Sequence, residues 1–118
     1  MRIWDLSPEV LCRHHLLGEH AELHALWSIL TQGKKGYSHH PETLRWKGRL
    51  RALYLRHELL AREMRRRDYL HHSPLDKDLA KGSPVQDEYV NSVREQQNIL
   101  MRKRCGCKVG KGGGGKGL

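Results

Sequence analysis

At 118 residues the chain can build one modest hydrophobic core but not two, so we expect a single domain. Its 22 lysines and arginines against 13 acidic residues give a formal charge of +9, which favours a polyanionic partner such as nucleic acid. No apolar run approaches the ~18 residues needed to span a membrane, the start lacks the apolar stretch of a signal peptide, and three cysteines make no disulfide framework. We therefore expect a cytoplasmic protein with no membrane partner.

The first predicted helix spans residues 8–30. Ser7-Pro8-Glu9 has the composition of a helix start, with an N-cap residue, a first-turn proline and an acidic residue. At about 100° per residue, one face of this helix is apolar and carries Cys12, Leu16, Leu23, Trp27 and Leu30. The neighbouring strip carries His15, Gly18 and Glu22. Glu22 thus lies at the margin of the core, where partial desolvation suits a carboxylate to proton transfer; a purely structural glutamate fits equally well.

Residues 33–37, Gly-Lys-Lys-Gly-Tyr, form the next feature of the chain. They lack the spacing of a nucleotide-binding P-loop and a preceding strand. They can bring Lys34, Lys35 and Tyr37 to a DNA backbone or to an extruded base, although a plain interhelical loop is an equal alternative.

A second predicted helix opens at Pro41-Glu42. Its apolar stripe consists of Trp46, Leu50, Leu53, His57, Leu60 and Met64. Its other faces are basic and carry Arg45, Lys47, Arg49, Arg51, Arg56, Arg62, Arg65, Arg66 and Arg67. Such a helix is more often a solvated face than a nucleic-acid reading surface, but the net charge of the whole chain favours DNA.

The last third of the chain contains one more predicted helix. Residues 69–91 have two prolines, a His71-His72 pair and no sustained period, which predicts a binding loop. Ser92-Val93-Arg94-Glu95 fits a capping box and starts a third helix that runs to about residue 104. From residue 106 the chain is nearly all Gly and Lys, which predicts a disordered tail over 106–118. The prediction is an all-α fold, a single compact domain over 1–105 with about three helices and long loops.

A zinc site is one reading of the histidines and cysteines. His20, Glu22 and His24 spell H-x-E-x-H, and with Cys105-Gly106-Cys107 they suggest a site of the nucleobase-deaminase type. Helical geometry argues against it, because His20 and His24 share a face while Glu22 points about 160° away. The second half also lacks the P-C-x-x-C pattern of those enzymes. We therefore predict no metal and no other cofactor, and we interpret His20 and His24 as solvent-facing residues.

The first two residues, Met1 and Arg2, predict a free α-amine near the first helix. Bacterial processing removes an initiator methionine only before small residues, so with Arg2 in second place we expect the mature chain to begin at Met1. Its free amine would precede the apolar residues 3–6, which must pack near the first helix.

These residues resemble the pyrimidine-dimer DNA glycosylase family of phage endonuclease V type. The resemblance covers about residues 1–105 and rests on three segments: Met1-Arg2-Ile3, His15-Leu16-Leu17-Gly18-Glu19 followed by Glu22-Leu23, and Arg56 through Glu63-Met64-Arg65-Arg66-Arg67. It implies one all-helical domain in which the N-terminal segment is packed between helices. It also implies that the Met1 amine attacks C1′ of the damaged nucleotide, that Glu22 is the acid/base group, and that Arg2 and His15 support the DNA. With the loop residues and Arg56, the predicted DNA-binding set is Arg2, His15, Lys34, Lys35, Tyr37 and Arg56.

The implied activity is a DNA glycosylase with abasic-site lyase activity, most readily on cyclobutane pyrimidine dimers in double-stranded DNA, exerted by a monomer. One imine would serve both steps, because attack at C1′ expels the base and Glu22 then assists β-elimination. A lyase on abasic sites or on another base lesion is the nearest alternative. A non-catalytic basic DNA-binding protein is another, but it gives Met1 and Glu22 no role.

The chain departs from the family pattern at three places. Ala21 and Ala25 stand where the family has arginines, and Cys105-Gly106-Cys107 with the Gly/Lys tail replaces an aromatic-rich C-terminus. These changes predict a weaker grip on the lesion with the amine and the carboxylate kept.

Overall fold

The computed structural model describes residues 2–36, 38–70 and 73–109. Over these ranges the chain forms α1 (Arg13–Gln32), α2 (Pro41–Trp46), α3 (Leu50–Arg66) and α4 (Val93–Lys103), with short 3-10 turns at Pro8–Val10 and Lys77–Leu79 and no strand. The predicted all-α fold, a single compact globule, is confirmed. None of these helices is both long enough and apolar enough to cross a membrane.

The core lies where α1 packs along α3. Leu16, Leu23, Leu53 and Leu60 are fully buried and follow the two predicted apolar stripes, and Leu26, which the predicted stripes do not include, is fully buried as well. His57 also lies in this core with no exposed surface. The burial of Leu16 and Leu23 fixes the rotation of α1 about its axis, and with it the direction of the strip that carries Glu22.

Two helix boundaries differ from the prediction. α1 begins at Arg13 rather than residue 8, because the Pro8 turn ends at Leu11, whose extended backbone brings its side chain into the core at 2% exposure. The predicted second helix is two helices, α2 and α3, separated at residues 47–49, where Gly48 adopts a left-handed φ of 76°. The capping box of the third predicted helix is confirmed: Ser92 and Glu95 exchange hydrogen bonds of 2.8 and 3.1 Å at the start of α4.

The N-terminal segment lies extended against α1, α2 and α3. Ile3, Trp4 and Leu6 are buried, with exposures of 1%, 5% and 6%. An extended segment inside a protein has no helical partners for its carbonyl groups, so other donors must satisfy them. Three arginines do so: Arg45 donates to Ile3, Arg56 to Leu6 and Arg67 to Leu11, at 3.0, 2.7 and 2.8 Å.

Each of these arginines is also neutralised by a buried carboxylate. The pairs are Arg45 with Glu42, Arg56 with Glu19, and Arg67 with Glu63. Hydrogen bonds from Arg66, helped by Arg67, lower the pKa of Glu63 to about 2. The sequence pattern predicts these three arginines only as members of the basic faces outside the apolar stripe; in the structure they bond to buried carboxylates and to the N-terminal segment, which they hold in place.

The segment after α3 covers the start of that helix. The first-turn amides of Arg51 and Ala52 have no partner within the helix, and they donate to the carbonyls of Lys81 and Ser83 at 2.9 and 3.1 Å. Gly82 lies between these acceptors with a left-handed φ of 90°, packed onto the Gly48 carbonyl. The described part of this segment thus caps α3. A binding role for it stays a prediction, and the pair at 71–72 lies outside the described residues.

Candidate active site

A pocket of about 320 Å³ opens beside the N-terminal half of α1. Its walls come from the N-terminal segment, one face of α1 and the last turns of α4, and consist of Arg2, Trp4, His14, His15, Gly18, Glu19, Glu22, Ile99 and Lys103. The pocket thus brings together three of the predicted site residues, Arg2, His15 and Glu22.

Glu22 is half-buried on the pocket wall, as its place at the margin of the apolar face predicts. Gly18 lies one turn before it, and the space beside Gly18 is open, since a Cβ there would meet no atom within 4 Å. The missing side chain therefore leaves room in front of the Glu22 carboxylate.

Arg2 is held from two sides. Its guanidinium donates to the Asn91 side chain at 2.8 Å and lies 4.9 Å from the centre of the Trp4 ring. Trp4 in turn meets the edge of the His15 imidazole, with 5.7 Å between ring centroids. These contacts fix a cation in the wall of the pocket, and a guanidinium group is a good donor to a phosphate.

His15 is a neutral imidazole at neutral pH. Burial lowers its pKa below the ordinary value, and the nearby charges of His14 and Lys103 lower it further. Its Nδ1 lies 3.1 Å from the Sγ of Cys12, so this nitrogen has a contact inside the protein.

Glu19 and Arg56 form the buried floor beneath the pocket. The Arg56 guanidinium donates to both carboxylate oxygens of Glu19, at 2.6 and 3.0 Å. Burial raises the pKa of Glu19 above its ordinary value, and Arg56 opposes that shift. Among the described residues Arg56 bonds to Glu19 and Leu6, both inside the protein, so its predicted contact with DNA stays a prediction that these bonds do not support.

Residues 1–77 match the family model of pyrimidine dimer DNA glycosylases. The chain belongs to the pyrimidine dimer DNA glycosylase family. No curated protein and no solved structure matches it. The matched part contains the N-terminal segment and α1 to α3, and therefore Arg2, His15 and Glu22, whereas α4 lies beyond it.

The residues that follow α1 line a second pocket of this family member. Gly33 ends α1 with a left-handed φ of 66°, and the exposed Lys34 and Lys35 follow. Lys34 lines a second pocket, of about 410 Å³, together with Ala25. Of the α1 residues in this second pocket, Ala25 lies at helical spacing from Gly18 and Glu22, whereas His24 lies on another face, so the second pocket is farther along α1 and turned about its axis relative to the first. Met1 and Tyr37 lie outside the described residues.

The sequence did not predict that α4 forms part of the candidate active-site pocket. Ile99 and Lys103 form a wall of the first pocket. They are four residues apart, on one face of a helix whose start the capping box had located. That spacing was the available signal, but nothing in it specifies that α4 lies against α1.

The structure places His20 and His24 in one cluster and Cys105 and Cys107 in another. The zinc site that the H-x-E-x-H pattern suggested would have combined all four of these residues. His20 and His24 are half-buried and pack on the buried His57, with 3.2 Å between Nε2 atoms of His24 and His57. Their interpretation as solvent-facing residues is therefore wrong, because α3 places a histidine opposite them. Glu22 lines the pocket with Arg2 and His15 and lies apart from this histidine cluster. The helical geometry, which directs Glu22 about 160° away from His20 and His24, predicts this separation. Cys105 and Cys107 lie with Cys12 and His15 in a second cluster.

Proposed function

We propose that this chain is a DNA glycosylase with abasic-site lyase activity that acts on cyclobutane pyrimidine dimers in duplex DNA. The observation that carries the proposal is that Arg2, His15 and Glu22 line one pocket in a member of the pyrimidine dimer DNA glycosylase family. In the proposed reaction the target nucleotide leaves the base stack and its sugar enters this pocket.

The nucleophile in this proposal is the α-amine of Met1. Met1 is bonded to Arg2, which lines the same pocket as Glu22. An α-amine has a reference pKa of about 7.7–8.0, so a useful fraction is unprotonated at neutral pH. The amine attacks C1′ while the glycosidic bond breaks and the base leaves. The C1′–O4′ bond then breaks and opens the sugar ring, O4′ takes up a proton and the nitrogen gives one up, which leaves an open-chain imine between the amine nitrogen and C1′. Glu22 then takes the C2′ proton, and the C3′–O bond breaks with the 3′ strand as the leaving group.

Charge and shape support a DNA substrate. Arg2 and the exposed Lys103 line the candidate pocket, and the exposed Lys34 lines the second pocket farther along α1, so the surface beside this helix is a basic face. Ammonium groups along such a face contact phosphates and release counterions, which gives affinity without base specificity. Glu22 is a half-buried carboxyl group among these cations and offers a phosphate no positive charge, so the proposal gives it the proton transfer.

The experiment is strand cleavage of a duplex that contains one pyrimidine dimer, with borohydride added to trap an imine. We expect cleavage and a covalent protein–DNA adduct with the dimer duplex, and neither with undamaged duplex. Glu22→Gln is expected to bind the duplex and to cleave at least about 10²-fold more slowly. Glu9→Gln, an exposed carboxylate on the Pro8–Val10 turn, is the matched control and should cleave normally.

A second candidate is a lyase on abasic sites, and the two alanines favour it. Ala21 and Ala25 are exposed on α1 beside Glu22 and Lys34, and neither can reach a phosphate or a base edge. Cleavage of abasic duplex with no cleavage of dimer duplex would select this candidate. If neither substrate is cleaved or trapped, the chain is a non-catalytic DNA-binding protein and the proposal is wrong.

A further inference from the structure

Cys12, His15, Cys105 and Cys107 meet at the junction of α1 and α4. One side-chain atom from each, three Sγ and one imidazole nitrogen, lies within 4.8 Å of all the others. All three thiols are free, and the four residues are half-buried. Cys12 and His15 come from the start of α1, while the cysteine pair comes from more than ninety residues later in the chain, so the fold itself assembles the cluster.

The spacing of these atoms is close to that of four ligands around one zinc ion. With Zn–S bonds of about 2.3 Å and Zn–N bonds of about 2.0 Å, a tetrahedron places two sulfurs about 3.8 Å apart and a sulfur and a nitrogen about 3.5 Å apart. The Sγ atoms of Cys105 and Cys107 are 3.4 Å apart. His15 Nδ1 lies 3.1 Å from Cys12 Sγ and 3.6 Å from Cys107 Sγ.

The backbone around the cluster is arranged to hold the two cysteines of the Cys-Gly-Cys turn. Gly106 has a φ of 100°, which a residue with a side chain rarely adopts and which lets the turn fold back on itself. The amide of Lys108 donates to the carbonyl of Val10 at 2.7 Å, which ties the turn to the residues before α1. The Cys12 amide donates to Cys107 Sγ at 3.0 Å. Cys12 is also the N-cap of α1, so the start of that helix fixes its position in the cluster.

We propose that Cys12, His15, Cys105 and Cys107 bind one zinc ion in a closed Cys3His site. Three thiolates and an imidazole are donors that zinc prefers, and four protein ligands leave no open position for substrate or water. The site is structural, and the reaction at Glu22 does not pass through it.

The metal would fix one wall of the active-site pocket. The buried residues of α4 are Gln96 and Leu100, so its C-terminal turns, which carry Lys103, have little burial of their own. A zinc ion between Cys105, Cys107 and the start of α1 holds those turns against the pocket. Because the ion takes Nδ1 of His15, the ring proton of this residue lies on Nε2, which makes His15 a hydrogen-bond donor of fixed tautomer.

The test is the zinc content of the full chain purified in reducing buffer and dialysed without metal. We expect one zinc per chain, lost in Cys105→Ser and in Cys107→Ser. His24→Gln, which disrupts the histidine cluster of His20, His24 and His57, is the matched control and should keep its zinc. A strong chelator should lower the melting temperature of the unmodified chain by at least about 5 °C and leave that of metal-free Cys107→Ser unchanged.

Cobalt substitution of the unmodified chain supplies a measurement that does not depend on how the variants fold. A Cys3His site gives intense thiolate-to-cobalt charge-transfer bands together with the visible bands of tetrahedral cobalt. Zinc that stays in both cysteine variants and is lost from His24→Gln would place the metal at the histidines and overturn the proposal. A chain that binds neither zinc nor cobalt, or cobalt bands without thiolate character, would overturn it as well.

Discussion

Replacing Arg56 by methionine tests whether buried ion pairs hold the N-terminal segment in place. Arg56 makes two bonds to Glu19, at 2.6 and 3.0 Å, and one of 2.7 Å to the Leu6 carbonyl. The Glu19 side chain has no exposed surface, so Arg56→Met leaves a buried carboxylate without its cation. Breaking such a pair from one side costs about 3–5 kcal/mol. That is a large part of the 5–15 kcal/mol that stabilises an ordinary domain.

The variant should also respond to pH. Burial raises the pKa of Glu19 and Arg56 opposes it, so the pKa of Glu19 rises further when Arg56 is removed. A carboxyl group with a higher pKa in the folded than in the unfolded state binds more protons when folded, so stability increases as pH falls through that range. We expect Arg56→Met to regain part of its lost stability between pH 7 and pH 5.

Urea unfolding at the two pH values is the assay, and Arg62→Met is the control. Arg62 lies exposed on the same helix, and its replacement should change stability by less than about 0.5 kcal/mol. Equal stabilities of the two variants at pH 7 would refute the argument that Glu19 and Arg56 form an essential buried pair. The double variant Glu19→Leu with Arg56→Met should recover much of the loss, because it removes both charges.

Two further substitutions test the site and the fold. Ala21→Arg should tighten binding to dimer-containing duplex by roughly 10-fold with a smaller gain on undamaged duplex, because it restores a bidentate donor beside Glu22; equal gains at fixed salt would show added charge alone. Gly82→Ala should cost at least about 2 kcal/mol in urea unfolding, since its Cβ would overlap the Gly48 carbonyl at a φ of 90°. Gly18 lies in a helix with open space beside it, so Gly18→Ala is the control and should raise the free energy of unfolding by about 0.5–1 kcal/mol. A Gly82→Ala variant of unchanged stability would contradict the packing of Gly82 on Gly48.

Local signals in the sequence predicted the helices and the position of Glu22 well. The burial of Leu16 and Leu23 follows from their 3.6-residue period, and the same period places Glu22 at the margin of the core. The capping box at Ser92 depends on two side chains three residues apart, so it is visible in the sequence alone.

Features that depend on long-range packing were not predictable in this way. An arginine on a helix looks the same in the sequence whether its guanidinium is solvated or buried. Arg45 has a side chain only 4% exposed, and it donates to a carbonyl 42 residues earlier in the chain. The start of α1 was misplaced because Ser7-Pro8-Glu9 suits a 3-10 turn as well as an α-helix. Cys12 and Cys107 are 95 residues apart, and only the folded chain brings the Cys12 amide to 3.0 Å from Cys107 Sγ.

The position of the covalent bond to DNA tests the central proposal most directly. The protein would be trapped on dimer-containing duplex with borohydride, digested, and mapped by mass spectrometry. The proposal predicts the sugar adduct on the Met1 amine, and loss of trapping after selective N-terminal acetylation. Lys103 is the rival nucleophile, because its side chain also lines the pocket. An adduct on Lys103 or on Lys34, or full trapping by the acetylated chain, would contradict the proposed mechanism.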